Sequence, residues 1–307
     1  MSRRRPVWAE LESLLARRTL TLDEVTRLDA LYRRATNDLA LAQRRYAGTD
    51  VHRFLNQLCA SARRSIYRPH GSTMEALQAF YARTLPRMVR ETLPLTQLSA
   101  ALLLLGVVLG AVAVALHPDG ELLLVPAEIR GWISRHELWS EGILSVETPG
   151  SMALAIFLNN LRVAFSAALL GITAGLGTVI VLFHNGVFLG AVVTACFRGG
   201  LGWNIITFMS AHGPVELSLI CLCSGAGLHV GRALLDPGER SRRVALTQHG
   251  QTAMRMVIGL APFVVLIGIV EGFVSPGPYF PTALKLLTGA ATGFGFWRWL
   301  LRSGRSP

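Results

Sequence analysis

The chain reads as an all-α, polytopic membrane helix bundle with an N-terminal cytoplasmic helical domain, and three observations carry that reading. Long charge-free runs recur from residue 95 onward, arginines crowd the first third, and glycines recur at four-residue steps inside the apolar runs. Of 307 residues, 51% are apolar and 16% charged, against about 25% charged in a soluble domain. The net charge of +11 is unevenly spread: residues 1–94 hold 17 Arg and 9 acidic residues, the other 213 hold 13 basic and 10 acidic. That distribution assigns the excess to membrane topology and anionic headgroups rather than to nucleic acid.

Residues 1–92 form the first domain. Its opening stretch, RRRPVWAELESLLARRTLTLDEV, is charged throughout and lacks the apolar core of a signal peptide, so the N-terminus is expected to stay cytoplasmic. Thr21-Leu-Asp-Glu24 and Ser72-Thr-Met-Glu75 fit the capping box, and Asp50 fits a third N-cap. Leu28, Leu31, Tyr32, Ala35, Leu39, Ala42 and Tyr46 recur at helical spacing. A bundle of about four helices results. The last, near 73–91, sets Leu77, Phe80, Tyr81, Leu85, Met88 and Val89 against Arg83, Arg87 and Arg90, and Pro86 should bend it. Two readings of those arginines stand: contact with anionic headgroups, or a solvated face of the bundle.

Residues 93–303 form the membrane domain, since about 20 apolar helical residues cross the hydrocarbon core. Spans are expected near 95–116, 161–183, 187–211, 214–235, 252–270 and 280–301. The third is interrupted by Arg198, Gly199, Gly200 and Gly202, which predicts a broken or re-entrant element. The stretch 151–160 is apolar and too short to cross by itself; it lies at the interface or extends span two. Loop 117–150 carries six acids against Arg130 and Arg135, while Arg232, Arg240, Arg242, Arg243 and Arg255 follow span four, and Arg298, Arg302 and Arg305 close the chain. The bias of basic residues to the cytoplasmic side puts both termini inside and the loop outside, where Trp132 and Trp139 would anchor a small cap.

Small residues four apart let helix backbones approach, which supplies van der Waals contact where lipid gives no hydrophobic drive. Such pairs occur at Gly106/Gly110, Gly171/Gly175, Gly186/Gly190, Gly227/Gly231 and Gly289/Gly293. They are expected to pack helices within one protomer or between two. Gly106/Gly110, on the span least tied to the polar residues, is the expected face of a homodimer. The four cysteines, Cys59, Cys196, Cys221 and Cys223, suit packing, with no disulfide framework or zinc ribbon among them.

Polar residues at membrane depth are costly and therefore tell more. Asn159, Asn160, Arg162, Asn185, Arg198, His212, Glu216, Glu271 and Lys285 make up this set, most of them expected toward the outer leaflet. They can be a structural ion-pair cluster, a solute or ion path, or a catalytic or metal site. His212 and Glu216, four apart, invite a metal, but Pro214 at the helix start places His212 ahead of the cap. No other pattern of metal-ligand or nucleophile spacing occurs. The sequence therefore assigns no catalytic residue, no cofactor and no metal.

Asn159-Asn-Leu-Arg-Val-Ala-Phe165, Gly175-Leu-Gly-Thr178, Asn185-Gly-Val-Phe-Leu-Gly190, His212-Gly-Pro-Val-Glu-Leu217, Gly225-Ala-Gly-Leu228, Ala233-Leu-Leu-Asp-Pro-Gly238 and Ile269-Val-Glu-Gly-Phe-Val-Ser-Pro276, in that order, resemble the stage II sporulation protein M family of bacterial integral membrane proteins. The resemblance covers roughly residues 72–300, with a looser likeness over the Arg-rich N-terminal segment. It implies action with peptidoglycan-degrading partners in a complex that remodels the septal wall of spore formers, and it transfers no active site. Its motif residues here are Asn160, Asn185, His212, Glu216 and Glu271. The function expected is that of a non-enzymatic inner-membrane assembly or scaffold protein of the cell envelope, with wall-remodelling partners. The alternative is a transporter or channel for a small solute or ion.

Overall fold

A computed structural model of the chain describes residues 4–17, 21–66, 73–117, 119–138, 149–275 and 280–304, and within these every regular element is helical. The chain divides into two compact units, Met1–Ala76 and Leu77–Pro307. The boundary expected at residue 92 falls instead at the junction of two helices inside the second unit.

In the first unit α1 (Arg5–Leu15), α2 (Leu22–Arg45) and α3 (Asp50–Ile66) pack around Trp8, Leu11, Leu31, Ala35, Leu55 and Ala62. The capping box at α2 forms: Glu24 N–H donates to the Thr21 hydroxyl, and Thr21 N–H to the Glu24 carboxylate at 2.8 Å. Asp50 is the first helical residue of α3 and pairs with Arg53; it does not cap. The box proposed at Ser72 lies outside the described residues. Asp38 is buried and accepts hydrogen bonds from the Trp8 indole (2.9 Å) and from Arg4.

The expected fourth helix of that bundle belongs to the membrane unit. After α4 (Thr73–Ala79), Pro86 has no N–H for the carbonyl of Ala82, and the chain responds with a π-turn, Phe80–Thr84, before α5 (Leu85–Glu91). Half of the apolar face is covered by protein, while Leu77 stays exposed. Leu85, Met88 and Val89 are buried in the main core with Leu222, Met256, Leu260 and Phe296. Arg87 pairs with Glu91 and stays exposed; the Arg90 guanidinium donates to the carbonyls of Leu300 and Ser303 at 2.9 and 2.7 Å.

Among the described residues six helices of at least 21 residues follow: α6 (Leu93–Leu116), α9 (Pro149–Leu169), α10 (Leu176–Arg198), α12 (Gly213–Leu235), α13 (Arg242–Ile269, prolonged by a π-turn Val270–Val274) and α14 (Thr282–Arg302). Between them stand α7 (Gly120–Leu124), α8 (Ala127–Ser134) and α11 (Gly202–Ser210). Four segments, Leu93–Leu116, Leu176–Arg198, Gly213–Leu235 and Arg242–Val274, are long and apolar enough to cross a membrane. The protein is a multi-pass membrane helix bundle.

The expected second and third spans are wrong in register. The uninterrupted apolar run 163–183 contains a chain reversal: Ala174 and Gly175 both take positive φ, and the Thr173 hydroxyl accepts from Gly177 N–H at 2.8 Å. Hence α9 ends at Leu169, α10 runs unbroken through the expected gap at 184–186, and the interruption at 199–201 separates α10 from the short α11. Residues 151–160 extend α9, the second of the two expectations for that stretch.

Contact partners give the directions. Leu103 lies level with Gly186, Val107 with Gly190 and Val114 with Arg198, so α6 and α10 run parallel. Thr96 lies against Gly225, and Leu103 clusters with Cys221, so α12 runs opposite to both. Ala167 meets Gly227 and Asn160 meets Glu216, so α9 runs with α12. Arg90 against the carbonyls of α14's last turn brings both ends of the six-helix array to one side.

Most of the glycine steps are consumed inside this chain. A Cβ on Gly106 would stand 2.6 Å from the Phe183 carbonyl oxygen, one on Gly171 2.1 Å from that of Gly227, one on Gly186 2.3 Å from that of Leu103, one on Gly190 2.0 Å from that of Val107, and one on Gly289 1.8 Å from that of Ser210. The Gly106/Gly110 face is therefore not free for a second copy, which corrects the dimer face expected from sequence.

Two of the expected pairs need a further correction. Gly171 and Gly175 do not form a step on one helix, because the chain reverses between them and Gly175, at φ +86°, starts α10. Gly231 of α12 accordingly packs on that turn and not on a helix face: its Cβ would stand 2.5 Å from the Gly175 nitrogen. Gly293 is not a site of backbone approach at all. A Cβ there would meet only the Pro214 side chain, 3.0 Å from its Cβ, so α14 touches α12 at this level through a proline ring, while its backbone contact lies one turn earlier at Gly289.

Val114, Val125, Ile133 and Leu138 form the anticipated cap with Ala195, Ile205 and Phe208; Trp139 lies outside the described residues. All four cysteines are free and buried, and Cys221 and Cys223 join different clusters, as packing residues two apart on a helix should.

Candidate functional site

The polar residues that the fold does bring together lie on the loop side of the bundle. His212 precedes α12 with helical dihedrals (φ −114°, ψ −34°), and its carbonyl already accepts from Glu216 N–H at 3.0 Å. Pro214 is the second helical residue, where its missing N–H is not needed. The residues four apart thus share a face after all, with His212 Nε2 3.6 Å from Glu216 Oε2. The objection that Pro214 breaks this geometry does not hold.

A second carboxylate arrives from α13. The π-turn Val270–Val274 inserts one extra residue into the last turn and points Glu271 inward, its Oε1 3.7 Å from the same nitrogen. One ligand atom from each of His212, Glu216 and Glu271 falls within 4.8 Å of the others. Asn160 of α9 reaches the pair: its amide donates to Glu271 Oε2 at 3.4 Å and lies near Glu216. His212 is fixed on its other side by Ser275 Oγ, 2.8 Å from Nδ1, and by the edge of Phe208, 5.2 Å between ring centroids. Lys285 of α14 is buried and donates to the Ser275 carbonyl at 2.6 Å. His212 and Glu271 are nearly fully buried as well.

Of the nine polar residues singled out in sequence, Asn160, His212, Glu216, Glu271 and Lys285 converge through direct or one-residue contacts. The rest do not. Asn159 and Arg162 are exposed on α9, Asn185 donates to the Val181 carbonyl of its own helix at 2.7 Å, and Arg198 donates to the Val114 carbonyl at 2.7 Å, tying α10 to α6. Ser275 was missed. Its spacing of four from Glu271 was the available signal, since both stand in the segment Ile269–Pro276.

Two family models match the chain. Residues 1–68 match one described only as a domain of unknown function. Residues 99–276, more than half of the chain and including His212, Glu216 and Glu271, match the model described as stage II sporulation protein M. No curated protein and no solved structure matches. With the sequence motifs and the membrane bundle in agreement with that match, the chain belongs to the stage II sporulation protein M family.

Proposed function

We propose that the protein is a non-enzymatic assembly platform of the bacterial cytoplasmic membrane that holds cell-envelope proteins, wall-remodelling enzymes among them, at its two polar faces. One observation carries the reading: glycine steps are filled by the backbone of a neighbouring segment at Gly106, Gly110, Gly171, Gly186, Gly190, Gly227, Gly231 and Gly289. Helices locked backbone to backbone cannot slide past one another without losing those contacts, and a stiff body suits holding partners in register. The charge distribution supports an orientation. Arg90, Arg232, Arg240, Arg242, Arg243 and Arg302 gather on the side of the array's two ends, while Asp119, Glu121, Glu128 and Glu137 stand on the loop side, which supports the arginine side as the cytoplasmic one.

The test is affinity purification from native membranes in mild detergent. Envelope or wall-remodelling enzymes should co-purify in fixed proportion; repeated recovery of the protein alone overturns the reading. The rival reading, transport of a small solute or ion, is favoured by the short α11 between two chain breaks beside a buried polar group. Ion flux in proteoliposomes above that of protein-free vesicles would decide for it.

A further inference from the structure

Three electron-pair donors meet at one point in the loop-side end of the bundle. The Ser275 hydroxyl occupies Nδ1 of His212 at 2.8 Å, so Nε2 is the ring nitrogen that faces Glu216 and Glu271. Two carboxyl groups and a ring nitrogen facing one another in a buried site are stabilised by a positive charge among them, a proton or a metal ion. The spacing says which kind. A shared proton would draw N and O to about 2.7–2.9 Å, whereas four ligands held tetrahedrally at about 2.1 Å from an ion stand about 3.4 Å apart. The observed nitrogen–oxygen separations are 3.6 and 3.7 Å, and the two carboxylate oxygens lie within 4.8 Å of each other.

The remaining atoms fit the same arrangement. Glu271 turns Oε1 to the common point and keeps Oε2 for Asn160, so one oxygen is left for coordination while the other is oriented. The contact of Nδ1 with Ser275 is the outer hydrogen bond that fixes the ring of a metal-bound histidine. The buried Lys285 ammonium of α14 donates to the Ser275 carbonyl, and Arg162, the cation of α9, is exposed. Deprotonated on binding, Glu216 and Glu271 together supply two negative charges to balance a divalent ion.

We propose that His212, Glu216 and Glu271 bind one divalent transition-metal ion of the zinc class, with a position left for water or a partner's ligand, and that the ion ties α12 to the π-turn of α13. This stands independently of the platform reading. The test uses the full-length protein in nanodiscs, purified without a polyhistidine tag and stripped with chelator. Titration with zinc chloride against a chromophoric chelator should give one equivalent bound, and added zinc should raise the melting temperature. Glu271→Gln should weaken binding at least 100-fold, and Ser275→Ala, a positioning residue, about 10- to 100-fold. Cobalt(II) on the unaltered protein should show visible d–d bands of a low-coordinate site, a readout that needs no variant to fold. Less than one tenth of an equivalent of zinc, cobalt without such bands, or Glu271→Gln binding as tightly as the parent would each overturn the proposal.

Discussion

Gly110 lies against Val187 so closely that a Cβ on the glycine would stand 2.1 Å from the Val187 carbonyl oxygen. No rotamer relieves a clash with backbone, so Gly110→Ile must push α6 off α10. The expected cost is at least that of ordinary overpacking, about 1–3 kcal/mol. Thermal unfolding in detergent should shift down, while mass photometry should show an unchanged oligomeric state. An unchanged melting temperature with a shift toward monomer would mean that this face joins two protomers.

Trp8→Phe isolates a single hydrogen bond in the first unit. The aromatic body still packs with Leu11 and Phe54, but buried Asp38 loses the indole donor and keeps Arg4. A loss of about 1–3 kcal/mol is expected. Hydrogen exchange across residues 5–66 of the full chain should report it, with protection falling in α1 and α2 together.

Acid should release the start of α2. Hydrogen bonds from the Thr21 backbone and hydroxyl, and then Arg17, hold the Glu24 carboxyl below the usual carboxylate range. A lowered folded-state value means that the contribution is complete above about pH 4.3, the value of a free Glu, and fades as the pH falls through the folded value. Exchange protection in the first turn of α2 should therefore drop on acidification, and Glu24→Ala should abolish that pH dependence.

Lys285→Met keeps the stem and removes the donor to the Ser275 carbonyl. The unpaired carbonyl at the π-turn predicts a stability loss of about 1–3 kcal/mol by detergent melting. Equal stability would show that the carbonyl finds another donor.

The helical class, the first span and the interruption near residue 200 were legible because charge-free length and glycine clusters are local signals. The turn at Thr173–Gly175 was not, because Thr, Ala and Gly are small and uncharged and leave the hydropathy of 163–183 unbroken while the backbone reverses. The glycine steps were legible as small residues, but spacing alone does not separate Gly289, which meets backbone, from Gly293, which meets a proline ring. Arg90 and Met88 were legible as an amphipathic helix, yet periodicity names a buried face without naming what covers it; here the cover is α13 and α14. His212 and Glu216 were visible at a spacing of four. Glu271 could not be joined to them, since the contact crosses 55 residues of sequence and depends on a π-turn that no periodicity announces.

The parallel pairing of α6 with α10 sets a timetable for biosynthesis. Gly190 leaves the ribosome about 80 residues after Gly110, which at 5–20 residues per second is about 4–16 s. Through that interval α6 sits in the bilayer without the backbone that fills its glycine groove, while α9 and the first half of α10 are being made. Any delay in translating 150–176 prolongs that exposure.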